Sequence, residues 1–343
     1  MGRAANNCHG WNPGAEVMAF SPSPRPAILV LTPIAHLRTV SSSLDSIGQV
    51  TTEANLSRVE FLSSQRFANV LFTNPNSSRF RLDAEVLDNV AGLQIVCTAS
   101  TGTDHIDLNY CRLRNITVLS LKSEVSFLRS VTATAELAVT LSLSLMRNVF
   151  PAAASVRNGE WGYLPFLGQQ VSSSRVGVLG LGRLGSIYAR AMSAMGAEIS
   201  YFDPNVNPRN DYHAAKSVEA LFAATDLVSV HVHLDQSTTN LISRDVLKKA
   251  KDGFILINTS RGEVVDETEL VGYLKAHPAS KYGTDVLRDE RLGPEQSAIW
   301  HFMHITSQVL ITPHIGGMTI ESQSAAFLRA VELLRGELKT IRQ

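Results

Sequence analysis

Cysteine is scarce in this chain. Cys8, Cys97 and Cys111 are the only three among 343 residues, and their spacing suits neither a disulfide framework nor a metal-ligand cluster. A reducing compartment, the cytoplasm, is the simplest fit. No charge of one sign dominates either: Lys+Arg and Asp+Glu both number 31. That balance argues against nucleic acid or an anionic membrane as partner. No run of about 18 apolar residues offers a membrane span. The best stretch, Ala133 to Phe150, contains Glu136 and Arg147 and reads as an amphipathic helix. Also absent are the H-E-x-x-H helix of a zinc site, the G-x-x-x-x-G-K-[ST] phosphate loop and the G-x-S-x-G elbow. No internal repeat of about 20–50 residues is visible.

What is present centres on Val176 to Gly185. An apolar run ends in Gly180-Leu181-Gly182-Arg183-Leu184-Gly185 and a helical pattern follows. This is strand, tight turn and helix with G-x-G-x-x-G at the joint. Gly180 permits the turn, Gly182 lets backbone approach a pyrophosphate, and Gly185 allows close packing of helix on strand. The pyrophosphate would sit at the helix N-terminus. With 22 glycines in the chain, such a triplet arises by chance in roughly one chain in ten, so context must decide. A second strand, Glu198 to Phe202, leads into Asp203, eighteen residues after Gly185. An acid there would accept from both adenosine ribose hydroxyls, although a merely solvated Asp would look the same.

Residues 1–25 show no periodicity. Ser21 to Pro26 reads as an extended linker, and the segment as a disordered tail or a cleaved leader. Strands are expected at Ala27–Leu31, Ala68–Thr73, Leu93–Thr98 and Ile116–Leu119, with helical stretches such as Leu82–Val90 between them. A helix and a short strand are expected within 40–66. A long helix should cover Ser130–Asn148. Six strands follow: Arg175–Leu179, Glu198–Phe202, Asp226–Val232, Gly253–Asn258, Tyr282–Val286 and Val309–Thr312. Leu287 to Gln308 reads as irregular, anchored by Trp300 and Phe302, and Glu321–Arg342 as a final helix. Alternating strands and helices predict an α/β protein with doubly wound parallel sheets. Its two lobes would leave a cleft for a small ligand.

Three stretches stand at carboxyl ends of strands, where such sheets bind ligands. In Asn258-Thr259-Ser260-Arg261-Gly262, the Arg261 fork suits a carboxylate, or it is a surface side chain. In Asp285 to Glu290, the acids taken alone are more often solvated than functional. In Pro313-His314-Ile315-Gly316-Gly317, a His sits in a bend. A Glu to orient it and an Arg nearby would make an acid/base site. His231-Val232-His233 reads as a cofactor-lining strand end, with metal ligation as the alternative.

Together these motifs resemble the D-isomer-specific 2-hydroxyacid dehydrogenases. Thr101-Gly102-Thr103-Asp104-His105-Ile106-Asp107 is similar to that family's N-terminal signature, Thr134-Ala135-Glu136 to its hinge helix, and Gly159-Glu160-Trp161 to the arm that follows. The resemblance implies two Rossmann-like lobes, with a cofactor domain (126–312) inserted in a flavodoxin-like substrate domain (26–125 and 313–343). It implies NAD as cofactor and a small D-2-hydroxy or 2-keto acid as substrate. It also implies a homodimer formed through the NAD-binding domain. Arg261 would bind the substrate carboxylate and carbonyl oxygen, and His314 would carry the proton with Glu290 paired to it. Asn74 and the Thr101-Gly102 backbone would complete the substrate site. Cofactor contacts would come from Gly180, Gly182, Arg183, Leu184, Gly185, Asp203, Val232, Thr259, Ser260, Arg261 and Asp285, with Asp285 on the nicotinamide carboxamide. The chain departs from the family where His233 and Arg291 stand in place of the usual Pro. The same fold and triad also occur in an NAD(H)-sensing corepressor, and an inactive binding homologue is a further alternative.

Overall fold

Short runs of branched apolar residues form the strands. Most central ones are buried along their whole length, as parallel strands covered by helices on both faces must be. The structure is a computed structural model that describes residues 25–75, 80–207 and 211–341. Residues 1–24 of the expected tail or leader, Asn76 of the substrate loop and Arg342 lie outside these.

The strands of the first half are β1 Ala27–Val30, β2 Gln49–Thr52, β3 Arg66–Phe67, β4 Val70–Thr73, β5 Val90–Ala91, β6 Ile95–Thr98 and β7 Thr117–Leu119. Five of them form a parallel sheet in the order β2-β1-β4-β6-β7, while β3 and β5 pair with each other. The second half supplies β8 Arg175–Leu179, β9 Glu198–Phe202, β10 His213–Ala214, β11 Leu227–Val230, β12 Ile255–Asn258, β13 Lys281–Thr284 and β14 Val309–Ile311. These form a parallel sheet in the order β10-β9-β8-β11-β12-β13-β14. Strand order reverses at β8, which lies between β9 and β11. The loops after β8 and β11 therefore diverge and open a crevice.

The chain crosses between the sheets twice. Helix Ala133–Met146 buries Ala138, Leu141 and Leu145 against Val176, Val178 and Tyr188 of the second lobe. Helix Ile320–Ile341 returns to the first lobe. Its Phe327, Ala330, Val331, Leu334 and Leu338 pack with Ile28, Val30, Val70 and Phe72.

Several expectations need correction. The helix expected over Ser130–Asn148 stops at Met146, because Asn148 adopts the left-handed conformation (φ 53°). A second helix, Val149–Arg157, then sets off at 63°. Nor is the first helix simply amphipathic. Small residues let it lie against helix Arg183–Ala194 and strands β12 and β13. Its buried Ser142 is satisfied by Ala138 O and the Tyr188 hydroxyl, both at 2.8 Å. The stretch Leu287–Gln308 is not structureless: helix Ala298–Met303 buries Ile299 and Phe302. Strand β13 ends at Thr284, so Asp285 stands just beyond it. The seventh strand of the second sheet, β10, is two exposed residues long and has no apolar signature to betray it. Among the described residues, no single helix is long and apolar enough to cross a membrane.

Candidate active site

The glycine loop is shaped as its spacing requires. Gly180 sits at φ 90°, a conformation that a side chain would strain. A Cβ on Gly185 would lie 2.0 Å from Gly180 O, so helix and loop could not approach as they do. A Cβ on Gly182 would meet nothing within 4 Å, so that position faces open space. Helix Arg183–Ala194 starts there with no side-chain cap, leaving its first N–H groups to an anion. Asp203 accepts from Leu181 N–H at 2.8 Å and from Asn205 N–H at 2.9 Å, which ties the acid to the loop. The Arg183 side chain turns away to the carbonyls of Leu128 and Val131. Arg183 and Leu184 still line the cleft that a pyrophosphate would enter.

The ends of β11, β12, β13 and β14 bring the remaining groups to the same edge. A cleft of about 600 Å³ is lined by Asn74, Thr101, Gly102, Val232, Thr259, Arg261, Asp285 and His314, among others. After β12, buried Asn258 pins the loop: its Oδ1 accepts from Ser260 N–H at 3.0 Å, and its Nδ2 donates to Arg261 O at 2.9 Å. Ser260 donates to Val232 O. Gly262 allows this loop to touch the next one, since a Cβ there would fall 2.1 Å from the Leu287 carbonyl carbon.

His314 occupies the left-handed conformation (φ 53°). It is held there by Asp285, whose Oδ1 accepts from Thr312 Oγ1 at 2.6 Å and Ile315 N–H at 2.8 Å, and whose Oδ2 accepts from Gly316 N–H at 2.7 Å. Burial pushes the Asp285 carboxyl pKa up, and these bonds only partly offset that. The structure therefore gives Asp285 an anchoring role that its expected contact with a carboxamide did not suggest. His314 Nδ1 lies 2.5 Å from Glu290 Oε1, and Glu290 Oε2 accepts from Leu287 N–H at 3.1 Å. Burial alone would raise the Glu290 pKa, but the bond to His314, the charge on that ring, the Leu287 N–H and the charge of Arg261 together outweigh burial and lower it. The sequence argument alone could not bring Glu290, His314 and Arg261 together, whereas here they line one edge of one sheet.

Arg261 donates to Ser260 O at 2.7 Å and reaches Asp104 Oδ1 at 3.3 Å. It lies against Gly102: a Cβ there would come 2.3 Å from Arg261 Nη2. Gly102→Ala should therefore displace the guanidinium. We expect KM for the acid substrate to rise about tenfold or more, since small misplacements of a positioning group are costly, with NADH affinity unchanged. An unaltered KM would show that Arg261 yields without cost.

Sequence reasoning missed three features. Asn258 looked like the end of an apolar run, yet a buried amide at that point signals a clamped loop. Asp104 belonged to a recognised signature but had no role. Thr259 Oγ1 is buried with no hydrogen-bond partner. An orphan hydroxyl on a residue of the cleft wall fits a polar ligand such as a dinucleotide.

This architecture has known counterparts. The NAD binding domain of the D-isomer specific 2-hydroxyacid dehydrogenases matches residues 139–316, just over half of the chain. The chain belongs to the D-isomer-specific 2-hydroxyacid dehydrogenase family. Its second lobe is that family's NAD-binding domain. It is 32% identical over 257 residues to the D-3-phosphoglycerate dehydrogenase of Mycobacterium leprae, which covers 74% of this chain and 47% of that protein. The chain thus spans about half the length of the phosphoglycerate dehydrogenases it matches. It is 30% identical over 262 residues to the hydroxypyruvate reductase of Thermotoga maritima, covering 76% of this chain and 83% of that one. Among solved structures, the TT0316 protein of Thermus thermophilus superposes with TM-score 0.74 at 30% identity, covering 89% and 94% of the two chains. The D-lactate dehydrogenase of Aquifex aeolicus, solved with NAD and lactic acid, shares the fold at TM-score 0.75 and 23% identity, covering 92% and 96%.

Proposed function

We propose that this member of the family transfers a hydride between NAD(H) and a small D-2-hydroxy acid or its 2-keto acid. The 2.5 Å Glu290–His314 pair, whose His314 lines one cleft with Arg261, carries the reading. Bound NADH supplies the hydride to C2 of the keto acid. His314 gives a proton to the carbonyl oxygen and regains one in the reverse direction. Arg261 clamps the carboxylate and stabilises negative charge on that oxygen, with the Thr101-Gly102 backbone opposite. Glu290 holds the imidazole ring through Nδ1. An inactive binding protein would not need that acid/base pair, and turnover of a 2-keto acid would separate this reading from a corepressor-like sensor that shares the triad.

Two more cations, Arg81 and Lys122, line the same cleft and have no acidic partner among the described residues. A keto acid with a second anionic group suits that wall better than one with an alkyl tail. The test is NADH oxidation over a panel of 2-keto acids with and without a second carboxylate or phosphate. Turnover of simple aldehydes as fast as 2-keto acids would refute the reading.

NAD should be preferred to NADP, because Asp203 repels a 2′-phosphate. Asp203→Asn keeps an acceptor for Leu181 N–H but loses the charge. A charge-assisted bond is worth about 1.5–3 kcal/mol, so NAD should lose roughly 10–100-fold in kcat/KM while NADP loses little. A wild type that prefers NADP would overturn the assignment.

Self-association through the second lobe is part of the same proposal. Val149, Phe150, Val156, Trp161, Tyr163, Leu164 and Leu167 are exposed on one continuous arm, with Trp161 90% accessible. Apolar surface of that extent calls for a partner, and a second copy in a homodimer is the simplest. Sedimentation should give a dimer for the wild type and a monomer for Leu164→Asp. A monomeric wild type would reject this. A cytoplasmic location remains part of the proposal, in keeping with Cys97 and Cys111 being free and buried.

A further inference from the structure

The turn Glu290–Leu292 sends two adjacent side chains to two different jobs. Glu290 takes His314. Arg291 reaches the first lobe, where its Nη2 donates to Asp104 Oδ2 at 2.5 Å. The other oxygen of Asp104 lies 3.3 Å from Arg261 Nη2. One carboxylate is thus shared by two guanidinium groups, all three side chains being one-quarter to one-third exposed. Burial works against the charged form of Asp104, yet the two arginines together hold its pKa far below the usual carboxylate range. Asp104 is therefore an anion beside the group that must receive the substrate's anion.

This arrangement poses a problem of competition. An Asp104 paired with Arg261 alone could offer both oxygens to the Arg261 fork, the bidentate geometry that Arg and carboxylate favour. A substrate carboxylate would then have to displace it. With Arg291 present, the nearer contact belongs to Arg291 and only the longer one to Arg261. We infer that Arg291 is a positioning residue: it draws Asp104 away from Arg261, leaving the Arg261 fork oriented by Asp104 but open to the substrate carboxylate. The inference rests on the reading of Arg261 given under Proposed function.

The test uses oxamate, a carboxylate isostere of a 2-keto acid, titrated into the NADH complex of the full chain and followed by NADH fluorescence. Arg291→Gln should weaken oxamate about tenfold or more, the scale of a charge-assisted hydrogen bond. KM for a turned-over keto acid should rise in parallel, with kcat and NADH affinity little changed. Arg291→Lys keeps the charge and should retain most of the affinity. The decisive variant is the double one. Adding Asp104→Asn to Arg291→Gln removes the competing anion and should restore most of the lost oxamate binding. A purely structural bridge between lobes predicts the reverse, a double variant no better than Arg291→Gln, and that result would overturn the inference. So would unchanged oxamate binding in Arg291→Gln, or an equal loss of NADH and oxamate. A wild type that binds NADH but no oxamate would refute the role of Arg261 and this inference together. Failure confined to the variants refutes Arg291 alone.

Discussion

His314→Ala is expected to reduce 2-keto acid turnover by on the order of 10²–10⁴-fold, the usual contribution of a positioned general acid. NADH affinity should hold, because the ring is one of many groups lining the cleft and Asp285 anchors the bend through the backbone of Ile315 and Gly316. Glu290→Gln is the companion experiment. The lowered Glu290 pKa reflects, after the opposing effect of burial, its bond to His314 and the charge on that ring. Its carboxylate therefore stays ionised to lower pH than an ordinary glutamate and keeps hold of the ring there. A neutral amide offers the ring a weaker, uncharged acceptor. Reduction should fall in Glu290→Gln, and the acid limb that Glu290 protonation gives the wild type, placed below the usual carboxylate range, should be absent. Single-turnover reduction against pH, with NADH binding measured alongside, checks both variants. An unmoved profile in Glu290→Gln would remove Glu290 from the mechanism. A His314→Ala enzyme near the wild-type rate would remove the mechanism itself.

Arg261→Ala should cost about 10²–10³-fold in kcat/KM, comparable to losing a donor aimed at a developing oxyanion. Arg261→Lys should recover only part of that. A lysine ammonium keeps the charge but cannot present two parallel N–H groups to a carboxylate and a carbonyl oxygen. Its shorter reach would also forfeit the bonds to Ser260 O and Asp104 that orient the guanidinium. Steady-state kinetics over a keto acid series would separate the two effects. A lysine variant with full activity would mean that charge alone matters at this position.

The order of elements was legible because it rests on local patterns. The strand-to-helix turn at Gly180–Gly185 was readable because a tight turn, a close backbone approach and a close helix contact each exclude a side chain at a fixed spacing. The strand ends at Asn258, Thr284 and Ile311 were readable to within a residue or two from apolar runs stopping at polar loops. Elements lacking such a signal were not. The two residues of β10 are held by pairing with β9 rather than by any pattern of their own. The break at Asn148 comes from one residue in the left-handed conformation, supported by Lys281 Nζ, which donates to Leu145 O at 2.8 Å and Asn148 Oδ1 at 2.5 Å from 133 residues further on.

By itself, the sequence determined the chemical inventory: a glycine loop with an acid after it, and an Arg, a Glu and a His each placed at a strand's carboxyl end. Residues of those types at those spacings have few other uses, because the constraints act within about 20 residues of chain. Tertiary structure alone decided which groups meet. Glu290 takes His314 rather than solvent, and Asp285 spends its oxygens on the 312–316 bend. Asp104 sits between Arg261 and Arg291, 157 and 187 residues away. Such contacts depend on how the two lobes close over their cleft. That closure follows from burying the helices Ala133–Met146 and Ile320–Ile341 against different sheets, and no local pattern in the chain encodes it.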